Sequence, residues 1–433
     1  MRAIVVGSGA GGAMAARQLA KAGLQVLVLE AGGPFKALSR NVTMTEPLRR
    51  VGLLGSERNA QRFLSSMWIA RSSEELVLVR GIGAGGSTTI ACGNMVRATR
   101  GLDKIGLDLT PQFEAIEAEL RPSTFPRERW RPTTAEMFDV CEGKGLGPEP
   151  TPKAMDALRC EACGLCEVGC ACGAKWDSRR WLSQAREAGA EVRLESPAAR
   201  VVVESGRAIG VKAETANGSE TLKADVIVLA AGAIGTAQVL RSSALPTEDR
   251  LWADIVLTIG GRKEGAEMLC EPPMVWYTRH ERFMVSPYLD ILSHWFHKPW
   301  RKVGVRDRVG VMIKMADDPT GRVEADGTVR KELTSADRDR LDGASSMVEG
   351  MMSEAGVEAP FVRGMLNGGH LGGTVPLRRE DVGTMHPSIL PEGLYVADLS
   401  LAPESQGMPT MLTAAALAMR VSERIISQCC FGA

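Results

Sequence analysis

Half of the chain's ten cysteines lie between Cys160 and Cys172, in the run RCEACGLCEVGCACGAKW. Cys160, Cys163, Cys166 and Cys170 are spaced C-x2-C-x2-C-x3-C, the spacing of ferredoxin-type iron–sulfur binding, in which several thiolates converge on one small inorganic core. In two-cluster ferredoxins the fourth Cys of such a run serves the other cluster, and here no Pro follows it. A single four-iron cluster therefore needs the run to fold back, or to recruit Cys172 or a distant Cys. A structural zinc and plain reduced thiols are the alternatives. A second constellation opens the chain: Gly7, Gly9 and Gly12 in the G-x-G-x-x-G spacing, with Glu30 at the end of the following apolar run. That pattern suits a dinucleotide. The first glycine allows the tight turn, the second lets backbone approach a pyrophosphate, and the third lets helix and strand pack closely. Glu30 is placed to accept hydrogen bonds from both ribose hydroxyls and to disfavour a 2′-phosphate.

These residues need a strand, a helix and a second strand to hold them. Ala3 to Val6 reads as a strand buried on both faces, about Ala13 to Ala22 as the helix, Gly23 as its stop and Val26 to Leu29 as the second strand. The helix would point its unpaired N–H groups at the pyrophosphate. A long excursion follows, with helical pieces expected around Pro47 to Leu54 and Ala60 to Ala70, before a strand from Glu75 to Val79. Next comes the glycine-rich RGIGAGGSTTIACGNMVR, Arg80 to Arg97, which with Ser87, Thr88 and Thr89 suits a backbone-lined cradle for a flat or phosphorylated ligand or, more plainly, a surface loop.

The chain has 433 residues, enough for two domains or one large domain with insertions. Lys plus Arg equals Asp plus Glu at 52 each, so no global field recruits nucleic acid or an anionic membrane. No run of 18 apolar residues signals a transmembrane segment, and the opening directly on a strand points to a cytoplasmic protein. Crowded cysteines in such a reducing compartment favour metal binding over disulfides.

Farther along, Trp276 to Trp300 holds seven of the twenty aromatics and three of the five histidines, His280, His294 and His297. This stretch reads as an apolar substrate pocket or docking surface, or as core with incidental histidines. His294 and His297 could share a helix face, but Pro299 and the lack of a nearby acid weaken a metal site. Val309 to Met315 alternates as a strand. Thr334 begins a helical stretch to about Ala355, with Thr334 or Ser335 as N-cap.

Four stretches together resemble the glucose-methanol-choline (GMC) oxidoreductase family of FAD flavoproteins: the N-terminal unit, GAGGST some fifty residues later, ADVIVLAAGAIGTAQVLRS at Ala224 to Ser242, and GLYVADLSLAPESQGMPTMLTAAALAMRVSERI at Gly393 to Ile425. They span the chain from end to end. The resemblance implies an α/β fold, an FAD-binding Rossmann-like doubly wound domain with a smaller α+β substrate domain. It would divide the chain into FAD-binding segments at 1–120, 186–250 and 366–433, a cysteine-rich insertion at 121–185 and a substrate domain at 251–365. Gly7, Gly9, Gly12 and Glu30 would hold the adenosine end of FAD. Gly85, Gly86 and Ser87 would lie along the flavin and ribityl chain, Val201 in the small sheet whose edge contacts the adenine, Gly232 in the second glycine turn, and Asp398 near the pyrophosphate and ribityl. A helix opening at Pro409 and Thr410 would aim its N-terminus at the flavin and stabilise the anionic reduced form.

The family's catalytic base lies in an HPxGT-like stretch, which the resemblance carries to His370 in NGGHLGGT. There an imidazole would take the alcohol proton as hydride leaves the carbon. One departure stands out. The family's second active-site His or Asn falls on Met408, which cannot donate a hydrogen bond, leaving Asn367 or Gln406 as substitutes. The family's usual Asn after GGS likewise falls on Ala91, with Asn94 three residues on. Long-chain alcohol oxidases of the family carry a similar cysteine run, and some of its sugar dehydrogenases bind a three-iron cluster in a comparable position.

The expectation is thus an FAD-dependent alcohol dehydrogenase with a 4Fe-4S or 3Fe-4S cluster. It would act on a small-molecule or lipid-like alcohol and pass single electrons to a protein or quinone acceptor. Two rivals keep the flavin: a reductase or desaturase acting on a C=C bond of a lipid-like substrate, and a non-catalytic flavin and iron–sulfur electron-transfer subunit.

Overall fold

Strand β1, Arg2–Val6, lies at the centre of a five-stranded parallel sheet, and its residues Ala3 to Val6 are buried. The computed structural model describes residues 1–38, 42–57, 66–72, 76–215 and 218–431. In this sheet β1 is flanked by β2, Gln25–Leu29, and by β10, Val226–Leu229; β6, Glu191–Arg193, and β19, Leu394–Val396, form the edges. Three distant pieces of chain therefore build one sheet, and a continuous apolar run in each is what a strand covered on both faces requires. The helix after β1, Ala10–Lys21, packs against helices Arg179–Glu187 and Met411–Phe431. A three-stranded antiparallel sheet of β7, Ala198–Glu204, β8, Arg207–Thr215, and β9, Gly218–Lys223, packs on β10 and on helix Gly232–Ser242.

A larger mixed sheet holds the second core. Its central strands are β11, Ile255–Arg262, and β14, Arg308–Met315, joined on one side by β13, Phe283–Pro287, β12, Trp276–Arg279, and β5, Glu149–Pro150. On the other side lie β17, Glu358–Arg363, and β18, Asn367–Gly368, the latter leading to β4, Leu76–Gly81, and β3, Met67–Ser72. A small hairpin is formed by β15, Arg322–Val323, and β16, Val329–Arg330. Asn367 of β18 pairs with Val256 of β11 and, in parallel, with Val77 of β4, so the sheet reaches from the glycine-rich cradle to the segment carrying His370.

Two local expectations meet a different structure. Met67 to Ala70 is strand rather than helix, with buried and less buried residues alternating against β4; residues 60–65 of the expected helix and Glu75 lie outside the described residues. The piece around Pro47 is a short helix, Glu46–Arg50, which ends before Gly52 at φ +79°. In the aromatic stretch, Trp276 and Trp300 are fully buried core residues, while Tyr288, Leu292 and Trp295 reach the large cavity described below. Helix Ser335–Glu354 starts at Thr334 with a reciprocal capping box, the Thr334 hydroxyl accepting from Asp337 N at 3.1 Å.

Candidate active site

The turn after β1 is held by close backbone packing. Gly7 has φ +99°, and a Cβ there would lie 2.3 Å from Ala230 O; one on Gly12 would lie 2.0 Å from Gly7 O. Gly9 differs, because a Cβ there would meet no atom within 4 Å. It faces a cavity of about 580 Å³ lined by residues from both sheets. Glu30 also lines that cavity, with both oxygens engaged: Oε2 accepts from Ser8 N at 3.0 Å and Ser8 Oγ at 2.6 Å, and Oε1 from Gly32 N at 3.0 Å and Gly83 N at 3.1 Å. Four donors fill a carboxylate's capacity. A ribose bound here must therefore exchange with one of them.

Gly85 and Gly86, at φ +95° and +51°, open the one-turn segment Gly86–Thr89. Gly86 and Ser87 line the cavity, whereas Gly85 packs behind it against Thr89 and Arg179. Buried Lys175 braces this cradle from the rear. Its Nζ donates to Thr89 O at 2.8 Å and Cys166 O at 3.1 Å, and also to Ala91 O, tying the cysteine loop to the cradle. Arg80, which sequence reasoning missed, lines the cavity with its guanidinium 4.8 Å from the Trp68 ring and its Nε without a partner. Burial pulls its pKa down to about 10 against the opposing pull of Glu30.

The C-terminal segment closes the far wall. Pro409, Thr410 and Met411, at the start of the last helix, line the cavity, as do Gly232, at φ +71°, and Asp398. Asp398 is buried and accepts from Thr236 Oγ1 at 2.6 Å and Ser400 N at 2.8 Å. Burial raises its carboxyl pKa, with those hydrogen bonds opposing. Val201 is a core residue of β7 that does not line the cavity; Pro197, Ala198 and Ala199, at the start of the same sheet, do.

His370 and Asn367 both line the cavity. His370 Nδ1 meets Lys314 Nζ, and Asp254 Oδ2 lies 3.0 Å from that amine and 3.5 Å from Nδ1. Asn367 Nδ2 donates to Asp290 at 3.2 Å. Gln406 is not brought to the cavity, its amide donating instead to Arg100 O at 2.9 Å and Glu404 O at 2.6 Å. Met408 packs with Met274, Tyr277 and Met312 in a small apolar cluster. Lys314, Asp254, Asp290 and Glu167 had no local pattern to announce them; the strand expected at Val309 to Met315 contained Lys314 but gave no sign of its partner.

Glu167 and Asp290 put acid on the cavity wall. Burial pushes Glu167 up to about 8, Asp290 adding to the rise, and pushes Asp290 to about 6 against the hydrogen bonds from Ser293 and Leu292. Glu167 Oε1 is covered and has no hydrogen-bond partner. The cysteines lie just behind this wall in an irregular loop around the one-turn segment Cys166–Val168. Cys170 Sγ and Cys172 Sγ are 3.5 Å apart, and Lys175 N donates to Cys170 Sγ at 3.4 Å. Burial raises the Cys160, Cys166 and Cys170 thiols, while at Cys172 burial is outweighed by amide hydrogen bonds from Ala174 and Glu161 and the thiol is lowered. Among the described residues no three His, Cys, Asp or Glu side chains are grouped so as to hold a metal ion. The expected set Cys160, Cys163, Cys166 and Cys170 lies along this loop, where Cys160 feels the charges of Cys172, Cys163 and Cys170.

Comparison with known proteins fits this arrangement. The GMC oxidoreductase family model matches residues 1–262. An uncharacterized GMC-type oxidoreductase of Mycobacterium tuberculosis (strain ATCC 25618 / H37Rv) is 33% identical over 268 residues, covering 59% of this chain and 41% of that protein. The chain thus spans about two fifths of that relative's length. An uncharacterized protein of Methanocaldococcus jannaschii is 26% identical over 356 residues, 79% of this chain and 86% of that one. A long-chain-alcohol oxidase of Arabidopsis thaliana is 29% identical over 271 residues, 56% of this chain and 34% of its own. In fold, the chain is similar to the crystal structure of a pyridoxine 4-oxidase from "Mesorbium loti", with TM-score 0.73, 14% identity and 98% of each chain covered.

Proposed function

This chain belongs to the GMC oxidoreductase family, and from that premise we propose that it is an FAD-dependent oxidoreductase acting on CH–OH donors. One observation carries the reading: His370 lines the same cavity as the Gly7–Gly11 turn, Glu30 and the start of the last helix. The residues fit FAD. Gly9 leaves open space where a pyrophosphate needs it, the positive ends of helices Ala10–Lys21 and Met411–Phe431 lie at the cavity, and Arg80 holds an unpartnered Nε beside it. Bound there, FAD supplies a hydride acceptor for the substrate carbon. Glu30 and the glycine turns hold the adenosine and diphosphate end, and His370 takes the hydroxyl proton. Ile291, Leu292, Trp295 and Met312 on the wall support an alcohol with an apolar portion, a class in keeping with the long-chain-alcohol oxidase among the relatives.

The test is flavin content followed by a panel of apolar and sugar alcohols with an artificial acceptor. His370→Ala is expected to keep its flavin and lose roughly 10²–10⁴-fold in turnover. Turnover of sugars alone would sink the apolar-alcohol reading, and retained activity in His370→Ala would sink the role of the base.

A second reading, electron exit through an iron–sulfur cluster to a protein or quinone, is favoured by the cysteine spacing and by the loop's place behind the cavity wall. Among the described residues no three His, Cys, Asp or Glu side chains are grouped to hold a metal ion, and no step is derived through a cluster. Iron and acid-labile sulfide per flavin on anaerobically purified protein decide it: about three or four iron supports the cluster, and flavin without iron removes it.

A further inference from the structure

Strand register sets three ionisable groups together at the cavity. Lys314 pairs across β14 and β11 with Val256, two residues after Asp254, and the neighbouring strand places Asn367, three residues before His370, against the same Val256. Asp254 is fully buried and Lys314 is 2% exposed. Asp254 Oδ1 is fixed by Ser405 Oγ at 2.6 Å and Gly407 N at 2.8 Å, leaving Oδ2 to Lys314 and His370. The other charged groups facing the cluster are Asp317, which also accepts from Ser405 Oγ, and Lys331, paired with Asp317 at 2.9 Å. Burial lowers both Lys314 and His370, with Asp254 opposing in each case; at His370 the Lys314 charge adds to the fall and a hydrogen bond to the Met408 backbone opposes it.

The chemistry of the contact is restrictive. An ammonium has no lone pair, so a protonated Lys314 must donate to His370 Nδ1, and a neutral imidazole accepting there carries its own proton on Nε2. Such a ring donates hydrogen bonds and cannot act as a base through Nε2. Resting on the CH–OH reading above, we propose that Lys314, anchored by Asp254, is a positioning residue that decides which ring nitrogen of His370 carries the proton, and that His370 becomes a base only once the Lys314–His370 pair has shed one proton. Then Nδ1–H donates to the neutral amine and Nε2 is free. In the step that follows, the substrate O–H bond breaks as N–H forms at Nε2, the Nδ1 proton passes to Lys314 Nζ, and the hydride leaves carbon for the flavin. His370 stays neutral throughout. The positive charge comes to rest on Lys314 beside the Asp254 carboxylate.

The test is the ¹⁵N signature of His370 in histidine-labelled protein, assigned by its absence in His370→Asn and followed with pH. It needs neither flavin nor substrate, so a lack of alcohol turnover would count against the function alone. In the wild type the neutral ring should carry its proton on Nε2 near neutrality and move it to Nδ1 at higher pH. In Lys314→Met it should sit on Nδ1, donating to Asp254, as soon as the ring is neutral, and in Lys314→Arg it should stay on Nε2 at every pH, since a guanidinium does not deprotonate. Correspondingly, the rising limb of kcat/KM should move to lower pH in Lys314→Met, and Lys314→Arg should lose roughly 100-fold with no recovery at high pH. If Lys314→Met does not fold, Lys314→Met with Asp254→Asn removes both charges and should free the ring from the wild-type pattern. A wild-type ring already on Nδ1 at neutral pH, or the same tautomer with and without Lys314, overturns the proposal.

Discussion

Gly12 sits directly against the carbonyl of Gly7, so close that a Cβ on Gly12 would lie 2.0 Å from the oxygen, although nothing would lie within 4 Å of one on Gly9. Two glycines of one motif thus serve different partners. Gly12 is held by the protein itself, whereas Gly9, with an ordinary φ of −66°, is left open toward the cavity. Gly12→Ala should destabilise the fold by about 1–3 kcal/mol through overpacking. Gly9→Ala should melt close to the wild type yet lose FAD. Thermal melts of the cofactor-stripped proteins and a flavin titration check this, and full flavin affinity in Gly9→Ala would contradict the placement of the cofactor.

Lys175 is the tie between the cysteine loop and the cradle, through Thr89 O, Ala91 O and Cys166 O. Lys175→Met should remove charged hydrogen bonds worth about 1.5–3 kcal/mol and loosen the loop. A lower denaturant midpoint together with faster alkylation of Cys166 is the expected result. An unchanged labelling rate would show that the loop is held by other contacts.

Glu167 makes stability depend on pH. Burial, with Asp290 adding, raises its carboxyl from 4.5 to about 8 in the fold, so the folded state binds this proton more tightly than the unfolded chain does. Its contribution is complete below about 4.5 and is lost as pH rises toward 8. Glu167→Gln should therefore lose less melting temperature between pH 5 and pH 8 than the wild type, the remaining slope coming from Asp290 and Glu271, which burial raises to about 6 and about 7. Equal losses in the two proteins would show that Glu167 is ionised throughout.

Asp254 works in the opposite sense. Burial alone would raise it, but Lys314, His370 and Ser405 outweigh burial and leave the carboxyl at about 2. The stability it contributes is present above about 3.8 and is lost as pH falls toward 2. Acid unfolding of Asp254→Asn should begin from a lower starting stability and show a shallower dependence below pH 4. A dependence identical to the wild type would remove Asp254 from the account.

Legibility in the sequence followed the range of the physics. The β1 turn could be read because its glycines act on neighbours a few residues away, and the helix start at Thr334 or Ser335 for the same reason. The piece from Ala60 to Ala70 read as helical, but pairing with β4 made Met67–Ser72 a strand, since a ladder supplied from elsewhere overrides a weak local preference. Gln406 and Asn367 looked equivalent as polar substitutes near the Met408 position. Backbone routing separated them, sending Gln406 to the carbonyls of Arg100 and Glu404 and Asn367 to Asp290.

By itself, then, the sequence determined the parallel sheet, the glycine turn after β1 and the family, because steric demands on φ, on close backbone approach and on buried strands are written residue by residue. Only the tertiary structure decided that Lys314 and Asp254 stand behind His370, and that Lys175 locks the cysteine loop to the cradle. Those outcomes depend on strand register and on the path of loops between distant segments, where each desolvated charge must find whatever partner the fold brings within reach.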